Sequence, residues 1–186
     1  VPVSINIDNG IAACALAQIA GVSAEEIREG MRTYTGVDRR FDFKIKNDRC
    51  VFLSDYAHHP AEIQQSIQSL REVFDGRKIS AIFQPHLYTR TRDFYGDFAE
   101  ALSLLDEVIL LDIYPARELP IEGVTSQLIY DRLRPDMQRR MAHLQDLPKI
   151  AEEEDFDVLV VLGAGDADTY CPQIADILRA KYQIEA

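Results

Sequence analysis

Two stretches carry the densest chemistry in this chain, Asp55-Tyr56-Ala57-His58-His59-Pro60 and Gln84-Pro85-His86-Leu87-Tyr88-Thr89-Arg90-Thr91-Arg92. Imidazoles and guanidiniums grouped this closely suit two tasks: holding an anion, and offsetting negative charge that develops in a transition state. Adjacent residues on extended backbone point opposite ways, so His58 and His59 make a poor pair of metal ligands, and no metal-ligating residue is assigned. The bland alternative has one ring capping a helix that begins at Pro60 while the other packs. His86, beside Arg90 and Arg92, tips the reading toward an anion site. Cations in the first turn of a helix oppose its dipole, so Arg90 and Arg92 call for a negative partner there. Asp55 caps a turn, meets a ribose hydroxyl or holds a cation; the residues alone leave these open. Gly163-Ala164-Gly165 is a weak phosphate signal, since a lone Gly-x-Gly also serves a tight turn. Arg39-Arg40 reads either as a surface pair or as a reach toward phosphates.

The elements that must position these residues are legible around them. Cys50-Val51-Phe52-Leu53 and Ile79-Ser80-Ala81-Ile82 precede the two stretches. Val108-Ile109-Leu110-Leu111 runs into Asp112-Ile113-Tyr114-Pro115-Ala116-Arg117, and Val158-Leu159-Val160-Val161-Leu162 into Gly163-Ala164-Gly165-Asp166. Short, non-alternating apolar runs read as strands buried on both faces. In a parallel α/β sheet, ligands bind beyond the carboxyl ends of the strands, so four polar clusters at four such ends imply one shared site. Phe41 to Lys46 alternates and should form an antiparallel edge hairpin with the next strand through Asn47-Asp48-Arg49. Helices are expected after Pro60 (Ile63, Ile67, Leu70 and Phe74 inward), after Arg92 (Phe94, Phe98, Leu102, Leu105), from about Ser126, after Pro148 and at the C-terminal end, with a short strand near Met141. The fold class is therefore α/β: a mostly parallel, doubly wound, Rossmann-like sheet with an antiparallel edge hairpin, preceded by a two-helix segment. That segment, residues 1–36, holds Ile11, Ala12, Ala15, Leu16 and Ile19 at helical spacing, stops at Gly21, and restarts at the capping box Ser23-Ala24-Glu25-Glu26. Thr35-Gly36-Val37-Asp38 is the expected linker, with residues 37–186 as the main domain.

Composition narrows the function classes. The 186 residues are 47% hydrophobic and 27% charged, with a net charge of −11; a basic face for nucleic acid or for an anionic membrane is not expected. Three cysteines without Cys-x-x-Cys spacing fit reduced thiols of a cytoplasmic protein better than a disulfide framework or a zinc site. The apolar run from Ile11 to Ala20 is too short to span a bilayer. The chain opens on Val1 in mid-pattern, as expected of a fragment. It contains no Gly-x-x-x-x-Gly-Lys-Ser/Thr loop, so nucleoside-triphosphate chemistry would need another domain.

The motifs Asp55-Tyr56-Ala57-His58-His59-Pro60-Ala61-Glu62, Phe83-Gln84-Pro85-His86-x-Tyr88-Thr89-Arg90-Thr91-Arg92-Asp93, Asp112-Ile113-Tyr114-Pro115-Ala116 and Gly163-Ala164-Gly165-Asp166 resemble the C-terminal domain of the Mur ligases. Arg39-Arg40-Phe41 is similar to the start of that domain, and Ser4 to Ala13 to the end of the family's central ATPase domain. Within the family, the resemblance favours the member that joins L-alanine to UDP-N-acetylmuramate in peptidoglycan synthesis. It implies ATP and Mg2+ as cofactors, with magnesium ligands on a central domain, and its own N-terminal and central domains as partners. By motif position Asn6 would meet adenine, Arg40 and Asp55 would bind nucleotide, and Tyr56, His58, His86 and Arg90 would face the amino acid and the reacting carbonyl; His58, His86 and Arg90 would be catalytic. Ile5 and Leu87 depart from the family's frequent His and Arg at those places. A related ligase that recycles murein peptides shares the His-His-Pro motif but usually lacks the Gln-Pro-His-x-Tyr-Thr-Arg run. The competing non-enzymatic reading is a nucleotide-binding or interaction module, for which the His/Arg convergence has no use.

Overall fold

A computed structural model describes residues 4–184, which fall into two compact units divided between Asp38 and Arg39. The first unit is a helical pair, α1 (Ser4–Ile19) and α2 (Ala24–Thr33). Gly21, at φ 88°, ends the first helix in a conformation that costs other residues a Cβ clash. Ser23 caps the second, with Glu26 reaching back to the Ser23 N–H at 3.0 Å. Ile11, Leu16 and Ile19 of α1 are exposed and no residue of α2 is buried.

The second unit is built on six strands: β1 (Asp42–Lys46), β2 (Val51–Asp55), β3 (Ile79–Phe83), β4 (Glu107–Leu111), β5 (Gln138–Ala142) and β6 (Val158–Leu162). Their order across the sheet is β1-β2-β6-β3-β4-β5, with β1 antiparallel to β2 and the remaining neighbours parallel. The β1–β2 turn is closed by the Arg49 N–H donating to Asn47 Oδ1 at 2.9 Å. Connections from β2 to β5 all move one way across the sheet, through α3 (Pro60–Val73), α4 (Tyr88–Leu102) and the single turn α5 (Gln127–Tyr130). Right-handed crossovers place those helices on one face. The return from β5 to β6 reverses direction, so α6 (Leu147–Glu153) and α7 (Cys171–Tyr182) cover the other face.

Period-two alternation sorts the strand residues between the two layers. Phe52, Ile82, Ile109, Leu159 and Val161 pack with Leu147, Ile150, Ile174 and Leu178 in the α6/α7 layer. Phe83 faces the opposite layer, its ring 5.4 Å from that of Phe98 in α4. Because both faces are covered, β3, β4 and β6 are buried at every position, which is why the sequence shows apolar runs rather than alternation. Cys50 and Cys171 lie in the core, where burial pushes the thiols up to about 11 and about 12; both are inert at neutral pH. The helix expected from about Ser126 shrinks to one turn. It ends at Tyr130, and Pro135 bars any continuation beyond Leu133, since proline disfavours helical backbone at the preceding residue.

Leu159 sits fully buried on β6, between two strands and beneath α7. Leu159→Ala should lower unfolding stability by about 2–5 kcal/mol. Glu152→Ala, exposed on α6, should change it by no more than about 0.5 kcal/mol. Urea denaturation followed by circular dichroism measures both.

Candidate functional site

With β6 between β2 and β3, the carboxyl ends of β2, β6, β3 and β4 lie side by side. The loop after β6 runs to α7 on one face, while those after β2 and β3 run to α3 and α4 on the other. The crevice where ligands bind in such sheets therefore opens along β6. Just past this edge a row of rings crosses the strand ends. Tyr56 and His58 are 5.2 Å apart edge to face, His58 and His86 6.1 Å, and His86 stacks on Tyr114 at 5.6 Å.

Each ring is held by a specific local device. Arg39 donates through Nη2 to the Gly163 and Gly165 carbonyls at 2.9 and 3.2 Å, pairs through Nε with Asp168 at 3.1 Å, and lies 4.7 Å over the Tyr56 ring. Arg40, also over that ring at 5.5 Å, is exposed. One member of the Arg pair is thus consumed by the fold and the other is presented outward. His58 Nδ1 lies 2.9 Å from the Tyr56 carbonyl. A carbonyl only accepts, so Nδ1 carries a proton, which in the neutral tautomer leaves the lone pair on Nε2; Glu62 Oε2 lies 3.3 Å from the same Nδ1. Glu62 accepts from the N–H groups of His58 and His59 at 3.0 and 3.2 Å, capping α3 without help from either imidazole. Asp55 turns inward to accept from Ser66 Oγ at 2.7 Å. Burial raises its carboxyl above the ordinary value, opposed by Ser66, the Ala57 N–H and the Arg40 charge.

His86 and Arg90 come from the β3–α4 junction. His86 Nδ1 is buried with no protein partner. Burial, then the Arg90 and His58 charges, hold this ring below the ordinary histidine value, with Glu118 opposing, so it is neutral at pH 7. Arg90 reaches back toward the His58 carbonyl at 3.5 Å, a weak contact. His59 and Arg92 leave the cluster: His59 packs on Phe94 at 5.1 Å and Arg92 pairs with Asp93 at 2.7 Å. The negative partner expected at the start of α4 comes from within the chain. Glu118 accepts from the Thr89 N–H at 2.9 Å and the Thr89 hydroxyl at 2.5 Å. His58, His86 and Arg90 are therefore brought together, with Tyr56 and Arg40 on the β2 side. Asn6 has its side chain outside the described residues.

The glycines after β6 have a structural use. A Cβ on Gly163, at φ 132°, would sit 2.7 Å from the Gln84 carbonyl oxygen, and one on Gly165 would sit 2.1 Å from Gln84 Oε1. They admit the buried Gln84 amide, which donates to Asp166 at 2.8 Å and accepts from the Ala167 N–H at 2.9 Å. An open cavity of about 320 Å³ adjoins it, lined among others by Asp112, Tyr114, His143 and Asp166. His143 pairs with Asp112 at 2.6 Å. Gln84, Tyr114 and Glu118 escaped sequence reasoning as site-shaping residues, although Gln84 and Tyr114 lie inside dense motifs; Arg39 was singled out together with Arg40, without a sign of which of the two the fold would consume. Among the described residues no group of His, Cys, Asp and Glu is arranged to hold a metal ion, and no helix is long and apolar enough to cross a membrane.

Residues 39–165 match the family model described as Mur ligase, glutamate ligase domain. The chain belongs to the Mur ligase family. It is 63% identical over 181 residues to the UDP-N-acetylmuramate–L-alanine ligase of Phocaeicola vulgatus, covering 97% of this chain and 40% of that protein. Among solved structures, the UDP-N-acetylmuramate–alanine ligase of Thermotoga maritima is similar at 29% identity and a TM-score of 0.76, covering 98% of this chain and 39% of that one. A murein peptide ligase from Psychrobacter arcticus, at 18% identity and a TM-score of 0.63 over 93% of this chain and 36% of that one, shares the fold. This Mur ligase chain thus spans about two fifths of the length of the P. vulgatus relative.

Two predictions follow from this geometry. Gly163→Ala should cost about 1–3 kcal/mol for its backbone conformation alone and displace Gln84, read as a lower melting temperature. In NMR titrations His86 should titrate below the ordinary value of 6.5 and His143 above it, the latter raised by the Asp112 hydrogen bond and charge; Asp112→Asn should return His143 toward 6.5. The signs differ for stability. The His143 contribution is present below its unfolded pKa and lost as pH rises through the folded one. The His86 site loses stability as pH falls through the ordinary histidine range, because the unfolded ring protonates first.

Proposed function

We propose that this chain is the amino-acid-presenting part of a ligase that joins L-alanine to UDP-N-acetylmuramate. The observation that carries the reading is the meeting of His58, His86 and Arg90 beyond β2 and β3, beside an outward-facing Arg40. The identity to the P. vulgatus ligase supports the same substrates. ATP supplies the phosphoryl group that turns the muramate carboxylate into an acyl phosphate, and the alanine amine displaces phosphate to form the amide. An attacking amine must be neutral and the alanine carboxylate must be held meanwhile. Arg90 suits the second task, since a guanidinium fork matches a carboxylate. His86, kept neutral at pH 7, can hold the proton that the ammonium sheds, and His58 Nε2 offers a second acceptor. With these rings charged, they and Arg90 oppose the negative charge on the tetrahedral oxygen. Arg40 is the guanidinium available to a nucleotide's phosphates; by motif position Asp55 and Asn6 are assigned to the nucleotide as well. Among the described residues no group of His, Cys, Asp and Glu is arranged to hold magnesium.

The chain alone should release no phosphate from ATP with UDP-N-acetylmuramate and L-alanine, for want of a phosphate loop. Substituted for the matching two fifths of the P. vulgatus ligase, it should restore alanine-dependent turnover. A chimera that used a murein tripeptide in place of alanine would favour the recycling reading. In the active chimera, Arg90→Ala should raise the alanine KM and weaken transition-state binding by about 1.5–3 kcal/mol, with the ATP KM unchanged. Leu87→Ala should matter far less. Unaltered alanine kinetics in Arg90→Ala would sink the assignment.

A further inference from the structure

α4 begins without a cap of its own. Leu87 at its N-cap has φ 75° and no side chain that accepts a hydrogen bond, and the first turn contains no acid. The missing acceptor arrives from the loop after β4, where Glu118 takes both the N–H and the hydroxyl of Thr89. The same loop is tied to the same segment at a second place. The Tyr114 N–H donates to the Pro85 carbonyl at 2.8 Å, the Leu87 N–H donates to the Tyr114 carbonyl at 2.9 Å, and the Tyr114 ring stacks on His86. Residues 114–118 therefore brace residues 85–90 at both ends, and the braced segment carries His86 and Arg90. Glu118 also faces charge: its carboxylate attracts His86 and Arg92, while Arg90 repels His86.

We infer that Glu118 is a positioning residue of the amino-acid site. It occupies the Thr89 N–H and hydroxyl in the first turn of α4, fixes the backbone from which His86 and Arg90 project, and sets a negative charge at the helix end against an incoming carboxylate, which is left to the Arg90 guanidinium. The inference rests on the assignment of Arg90 made above and names what makes that side chain the sole anchor. An uncapped α4 would offer the substrate anion a second, unproductive place to bind.

The test uses the active chimera and this 186-residue chain in parallel. In the chimera, Glu118→Ala should raise the alanine KM about ten- to hundredfold, the effect of losing a charged hydrogen-bond partner, and leave the ATP KM unchanged. Glu118→Gln, which keeps an oxygen acceptor for Thr89 but not the charge, should show a smaller rise. Because Glu118 acts through Arg90, Glu118→Ala should add little in an Arg90→Ala background. In the chain itself, the Thr89 amide proton should shift with the ionisation of Glu118, at a pH below the ordinary glutamate range because of its bonds to Thr89, and lose that titration in Glu118→Gln. Should Glu118→Ala fail to fold, Glu118→Gln carries both readouts. A wild-type alanine KM in the Glu118 variants, a full additional effect in the Arg90→Ala background, or a Thr89 amide indifferent to Glu118 overturns the inference while Arg90 keeps its role. Alanine kinetics untouched by Arg90→Ala overturn the assignment of Arg90 and this inference with it.

Discussion

The insertion of β6 between β2 and β3 is the constraint on which the site depends. β6 pairs in parallel with both neighbours, Val160 standing opposite Leu53 on one side and Ala81 on the other. Only this late strand, the last of the six, brings the β2 and β3 ends to the spacing at which Tyr56, His58 and His86 form a row. Without it the two motif-bearing segments would belong to separate strand–helix units. The site is thus completed by the final third of the chain, although its reactive side chains come from the first half. Such long-range pairing is slow to form and is rewarded only once the sheet closes.

Electrostatics at the strand ends run against the chain as a whole. The molecule carries −11 overall, yet the row is flanked by Arg39, Arg40 and Arg90. Arg39 is neutralised by Asp168 and two carbonyls, so the cations that face outward are few and specific. Burial, reinforced by the Arg90 charge, holds the His86 ring below the ordinary histidine value, which a bare count of histidines would not suggest. A neutral acceptor next to a fixed cation is the combination that amine attack near a carboxylate requires.

Much of this was legible in the residues. Runs such as Val158–Leu162 admit few readings other than a strand buried on both faces, and the alternation in Asp42–Lys46 marked the exposed edge. The grouping of His58, His86 and Arg90 followed from their places after such runs. What stayed hidden depends on spatial partners. Nothing in local pattern links Glu118 to Thr89, 29 residues away, so the negative partner at α4 read as an external ion. Arg39 and Arg40 are indistinguishable in sequence; only the curl of the Gly163 loop decides which is consumed. The glycines themselves read as a phosphate loop or a turn, whereas their service is to the Gln84 amide.

The double engagement of Gln84 has a consequence for how this sequence can drift. Its codon lies one base change from that of glutamate, so the exchange is reachable in a single mutational step. Here the exchange would set a carboxylate against Asp166 in a buried position, where unpaired like charges are most costly. The amide can be traded only together with its partner, for instance with an asparagine at 166. The pair should therefore change in concert across descendants of this gene, leaving a correlated signature at two positions 82 residues apart.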